Sequence, residues 1–299
     1  MGDLDLARLR ELRFQHPEAV KEAAARRRHG AVAASTGKLL LVAADHPARG
    51  VLSVGTDVMA MGDRDELLYR LVTALGRPGV DGVLATADIL EDLLLLGALD
   101  GKIVLGSMNR GGLRGAEFEL DDRLTGYTAS AITEMGFEGG KMLLRIDLDD
   151  DNCAALLETC AREVTELARN RRIALVEPIM ARRINGRVTS DMSTEAAVAS
   201  VAIASGLGAS SAYTWLKVPV SDRMEIVTRA TTLPILLLGG DRGDEPEGPF
   251  ARWEYALRLS GVRGLVAGRA LLYPPDGDVA AAVDAAARLV GSASGRDPT

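Results

Sequence analysis

Residues 140–179 read GKMLLRIDLDDDNCAALLETCAREVTELARNRRIALVEPI, and the spacing of their apolar positions changes twice along the stretch. Residues 140–146 form a short apolar run, 152–169 repeat apolar residues at helical spacing behind a cluster of Asp and Asn, and 173–179 form a second apolar run. Two short, nearly continuous apolar runs joined by a helix describe a βαβ unit. Strands of this kind are covered on both faces, and parallel pairing needs a helical crossover. Each run also carries an ionisable residue, Lys141 and Glu177, whose burial is costly unless the charge is paired.

The same alternation extends in both directions. Strand-like runs fall at 39–44, 82–86, 103–108, 140–146, 173–179, 212–218, 235–239 and 264–267. Helical stretches fall between and after them at 65–75, 88–97, 129–135, 152–169, 194–205, 222–230, 250–260 and 279–289, several opening on Asp, Ser, Thr or Asn. Eight βα units predict a (β/α)8 TIM barrel, with an open doubly wound sheet as the alternative. The expected division is an N-terminal helical extension over 1–37, helical at 4–28, then the barrel over 38–291 and a flexible tail over 292–299.

Of the 299 residues, 47% are hydrophobic and 26% charged, the balance of a soluble globular chain. The net charge of -7 and pI near 5.2 argue against a nucleic-acid surface. No apolar run is long enough to span a bilayer, and the acidic N-terminus lacks the pattern of a signal peptide, so a cytoplasmic location is expected. Cys153 and Cys160 have neither zinc nor redox spacing and read as core residues. With only His16, His29 and His46, no metal and no cofactor is expected. The composition is compatible with a homo-oligomer.

The 35 basic residues comprise 30 Arg and five Lys: Lys21, Lys38, Lys102, Lys141 and Lys217. In a barrel, chemistry sits where strands end. Asp45-His46 follows the first run, Lys141 and Glu177 lie in the fourth and fifth, and Lys217 lies in the sixth. A desolvated Lys near another cation loses its proton and becomes a nucleophile toward carbonyls, which Arg cannot do. This makes Lys217 the candidate imine-forming residue, with Lys141 to depress its pKa and Glu177 and Asp45 for proton transfer. Gly239, Gly240, Gly268 and Arg269, after the seventh and eighth runs, are candidate phosphate ligands. His46 after the first run, Asn109 and Arg110 after the third, and Arg182 and Arg183 after the fifth are candidate contacts to the rest of a phosphate-bearing substrate. Taken singly, these residues admit plainer readings, such as a Lys217–Glu177 ion pair or an Asx turn at Asp45.

Through Asp45-His46, Lys141-Met142-Leu143-Leu144, Glu177-Pro178, Leu216-Lys217-Val218 and Gly268-Arg269, in this order, the chain resembles the class I tagatose-1,6-bisphosphate and sulfofructose-phosphate aldolases. It is also similar to aldolase-like (β/α)8 proteins associated with inositol catabolism. The resemblance implies metal-independent cleavage of a ketose phosphate through a lysine Schiff base. Dihydroxyacetone phosphate and an aldehyde would be released, from 2-deoxy-5-keto-gluconate 6-phosphate on the inositol reading. His46 stands where the family often has Gln, and the acidic stretch at 240–249 also departs from its pattern. Deoxyribose-phosphate aldolase fits less well, because the seventh run lacks its second lysine. An isomerase or decarboxylase without imine chemistry, and a non-catalytic sugar-phosphate sensor, are the rival classes.

Overall fold

Eight parallel strands close into a barrel in the computed structural model, which describes residues 4–32, 37–240 and 249–293. The first half comprises α1 (Leu6–Gln15), α2 (Ala19–Arg26), β1 (Leu39–Ala44), α3 (Arg64–Leu75), β2 (Gly82–Ala85), α4 (Ala87–Leu95), β3 (Ile103–Ser107), α5 (Ala129–Glu134) and β4 (Gly139–Ile146). It continues with α6 (Asn152–Arg169), β5 (Ile173–Ile184), β6 (Arg187–Ser190), α7 (Thr194–Ser205), β7 (Thr214–Pro219) and α8 (Met224–Arg229). The last elements are β8 (Ile235–Leu238), α9 (Phe250–Leu257), β9 (Val262–Ala267), α10 (Arg269–Leu272) and α11 (Val279–Ser292). Pairing runs from β1 through β2, β3, β4, β5, β7, β8 and β9 and back to β1.

Alternation along each strand builds two apolar layers. Leu39, Leu41 and Ala43 of β1 point into the barrel with Leu105, Leu175 and Leu236, whereas Leu40, Val42 and Ala44 face the helices. Side-chain caps set several helix starts: Asp63 accepts from the amides of Asp65 and Glu66, Ser193 from Ala196, and Asp278 from Ala281.

Two local features differ from the sequence expectation. The helix expected over 4–28 is two helices, with Pro17 between them denying the backbone a donor. The fifth strand continues past 179 to Ile184 and turns back through Asn185 and Gly186, both at positive φ, so that β6 pairs antiparallel with its end. Most of the acidic stretch at 240–249 and of the expected tail lies outside the described residues.

Opposite the strand ends, Arg27 closes the barrel floor. Its guanidinium bonds both oxygens of Glu138 at 3.0 Å and the carbonyls of Lys102 and Gly136, over the Phe137 ring. Glu138 in turn accepts from the Val104 amide at 2.7 Å. Because removing one partner leaves the other charge buried, Glu138→Ala should cost about 3–5 kcal/mol. Urea unfolding checks this; a loss below about 1 kcal/mol would show that the buried ion pair does not fasten the floor.

Candidate active site

The strand period that builds the interior layer also orients the site. Asp45, Lys141, Glu177 and Lys217 continue the inward registers of β1, β4, β5 and β7 beyond the apolar floor. Each is at most 6% exposed. The structure therefore brings all four together at the C-terminal mouth of the barrel.

Their contacts form one chain of charges. Arg110 pairs with Asp45 Oδ2, and Lys141 Nζ donates to the same oxygen at 3.2 Å. Lys141 Nζ also lies 2.5 Å from Glu177 Oε2, to which Lys217 Nζ donates at 3.2 Å. Both amines thus meet one carboxylate oxygen. Ser107 Oγ reaches Asp45 at 3.5 Å.

Burial and these neighbours set the protonation states. Burial first, and then the Arg110 charge, push the Lys141 amine well below its ordinary value, with Glu177 opposing. Lys217 is lowered by burial, against Glu177, with Arg110 and Arg269 adding to the fall. Burial alone would raise Glu177, but Lys141, Lys217 and Arg110 outweigh it and hold the carboxyl well below the usual range. Burial, then Arg269 and Lys217, take His46 down to about 3, so its ring is neutral at physiological pH. Arg110 falls only to about 10, mainly by burial, and keeps its charge.

A cavity of about 410 Å³ opens onto this chain. His46, Arg110, Glu177, Lys217, Gly239, Gly240, Gly268 and Arg269 line it; Lys141 and Asp45 lie behind its wall. Gly268 touches the β1 backbone so closely that a Cβ there would stand 2.4 Å from the Ala43 carbonyl oxygen. Gly239 also lines the cavity, but its amide is already donated to the Val266 carbonyl at 2.9 Å. That leaves Gly240, at φ +67°, Gly268 and Arg269 as the phosphate-end candidates.

Three expected substrate contacts are placed otherwise. Asn109 uses its amide nitrogen on the carbonyls of Asp122 and Leu143 and its oxygen on the Leu143 amide, stapling the end of β3 to β4. Arg182 and Arg183 sit exposed on the β5–β6 hairpin, pairing with Asp191 and with the Gly186 and Glu117 carbonyls, and line no part of the cavity. Conversely, Arg49, Arg114, Glu119 and Arg145 line the cavity without having been singled out from the sequence. Arg145 was findable, because it shares the inward register of Lys141 four residues earlier; it forks onto Asp122 at 2.8 and 2.6 Å.

Among the described residues no three His, Cys, Asp or Glu side chains group as metal ligands, and no helix is long and apolar enough to cross a membrane.

A closed parallel barrel with this mouth has the TIM-barrel fold of class I aldolases. A Schiff-base-forming fructose-1,6-bisphosphate aldolase is 19% identical with TM-score 0.64, covering 91% of this chain and 99% of the other. Fructose-bisphosphate aldolase from Slackia heliotrinireducens is 14% identical with TM-score 0.60, covering 88% and 87%. At these identities the likeness is one of fold.

The chain belongs to the Cgl0159-like family, whose model matches residues 37–287. The crystal structure of Cgl0159 from Corynebacterium glutamicum (Brevibacterium flavum) is 54% identical with TM-score 0.93, covering 96% of this chain and 97% of that one. No curated protein matches the chain.

Proposed function

We propose that the protein is a class I aldolase that cleaves a ketose phosphate through an imine on Lys217. The observation that carries this is the pair of buried amines on Glu177 Oε2, only one of which, Lys217, reaches the cavity. The neutral Lys217 amine adds to the ketone, a proton passed from Lys141 through Glu177 lets the hydroxyl leave as water, and the resulting iminium ion serves as the electron sink. Glu177, or a water it holds, takes the proton of the hydroxyl on the carbon to be released, and the adjacent carbon–carbon bond breaks. The enamine is then protonated and hydrolysed, freeing dihydroxyacetone phosphate and regenerating Lys217. Arg269, Gly240 and Gly268 hold the phosphate and fix the ketone against the amine.

The aldolase activity of the fold neighbours supports the chemistry, and the resemblance to proteins of inositol catabolism points to 2-deoxy-5-keto-gluconate 6-phosphate as the first ketose phosphate to assay. Borohydride reduction with dihydroxyacetone phosphate should leave one adduct per chain, at Lys217, read by intact mass and peptide mapping. Turnover of a ketose phosphate without any adduct would replace this reading with acid–base chemistry on Glu177 and Asp45.

A further inference from the structure

Five ionisable groups form the buried chain Arg110–Asp45–Lys141–Glu177–Lys217, three cationic and two anionic. With every group ionised it carries one uncompensated positive charge in a place nearly closed to water, which is costly. The carboxylates cannot relieve it, since protonating either one increases the excess. Arg110 cannot relieve it either, because a guanidinium keeps its proton. The relief must come from one of the two amines.

We infer that Arg110 is a positioning residue whose fixed charge, held by Asp45, keeps the Lys141–Lys217 pair one proton short, so that Lys217 can present a free amine to the cavity. The two lysines titrate as a pair, because Glu177 Oε2 touches both and passes the remaining proton between them. A resting state with the proton on Lys217 converts to the reactive one by moving it to Lys141. In that state the ion pair with Asp45 takes up the charge. Arg110, rather than Lys217, is the largest neighbouring charge that lowers Lys141.

The other groups facing the lysines do not supply this excess. His46 is neutral, Ser107 is uncharged, and β2 and β8 bring only glycine and aliphatic residues. Arg145 is paired with Asp122, and Arg49 lies 3.8 Å from Glu119. Arg269, half-buried at the cavity wall, also lowers Lys217 but less than Arg110 does, and it is not among the charges that act on Lys141. The consequence for catalysis rests on the Schiff-base reading; the charge count does not.

With only five lysines in the chain, 13C labelling of lysine side chains resolves the pair in NMR titrations. Wild type should show a first deprotonation below that of an ordinary amine. Arg110→Met, and Arg110→Gln, which keeps a hydrogen bond to Asp45 without the charge, should move that midpoint up by about one to two units. The pH for half-maximal trapping of dihydroxyacetone phosphate should rise equally, with the rate recovered in alkali. A purely structural role would lower trapping at every pH and leave the midpoint in place, and an unmoved midpoint in a folded variant overturns the inference. Should wild type never be trapped while the NMR midpoint still moves, the aldolase reading falls and the role of Arg110 stands.

Discussion

Lys217→Arg is expected to lower kcat by about 10⁴-fold or more and to abolish borohydride trapping, with the fold retained. The guanidinium can still pair with Glu177 Oε2, which Lys217 meets at 3.2 Å, so the cluster keeps its charge pattern. It cannot shed a proton at working pH, so the nucleophile alone is removed. Lys141→Arg provides the contrast. It keeps a cation against Asp45 and Glu177 and leaves Lys217 as the one group able to relieve the excess charge. Activity should fall through the lost proton shuttle and through crowding at a fully enclosed position, but the adduct at Lys217 should persist. An adduct of undiminished yield on another lysine in Lys217→Arg would sink the nucleophile assignment.

The inward register made this much of the site legible before any coordinates. A β-strand alternates its faces, so a lysine or carboxylate in line with the inward apolar residues must lie on the barrel axis, and its position along the strand sets its height. Asp45, Lys141, Glu177 and Lys217 satisfy both conditions, and the structure gathers them. Arginines in loops obey no such period. Arg182 and Arg183 follow the expected end of the fifth strand, yet the strand runs on to the Asn185-Gly186 turn and carries them out to solvent. That dipeptide is itself a hairpin signal, and a hairpin there places both residues away from the barrel mouth. Asn109 shows the opposite limit. It sits at a strand end in the inward register, but its hydrogen bonds go to backbone groups that only the closed sheet brings near. Arg49 reaches the cavity from the short 3-10 turn Pro47–Arg49 and Arg114 from a loop, and nothing in their spacing announces it.

Glu177→Gln should have the second largest effect, and its sign with pH is specific. Without the carboxylate, Lys141 loses its 2.5 Å partner and Lys217 its 3.2 Å partner, leaving buried cations that cost about 3–5 kcal/mol of stability near neutrality. Glu177 raises both amines toward their ordinary value, so its removal depresses them further. Between those lowered values and about 10.5, where the unfolded lysines titrate, the unfolded chain binds more protons than the folded one, and stability rises with pH. The deficit of the variant should therefore shrink in alkali. In acid the difference narrows for another reason. The depressed carboxyl of wild type contributes stability that is fully present above about 4.5 and is lost as pH falls toward the folded value, and the variant has no such contribution to lose. Urea unfolding of both proteins across pH should trace a deficit that narrows below about 4.5 and shrinks again on the alkaline side as the lowered lysines lose their protons. A deficit independent of pH would mean that Glu177 acts by packing and neutral hydrogen bonding alone. On the proposed mechanism turnover should fall by about 10²- to 10⁴-fold, because Glu177 would both take the substrate proton and shuttle a proton between the amines. The same contact thus opposes two demands: Glu177 stabilises the lysines as cations, whereas the proposed imine chemistry needs one of them neutral, and the fixed charge of Arg110 shifts that balance toward the free amine.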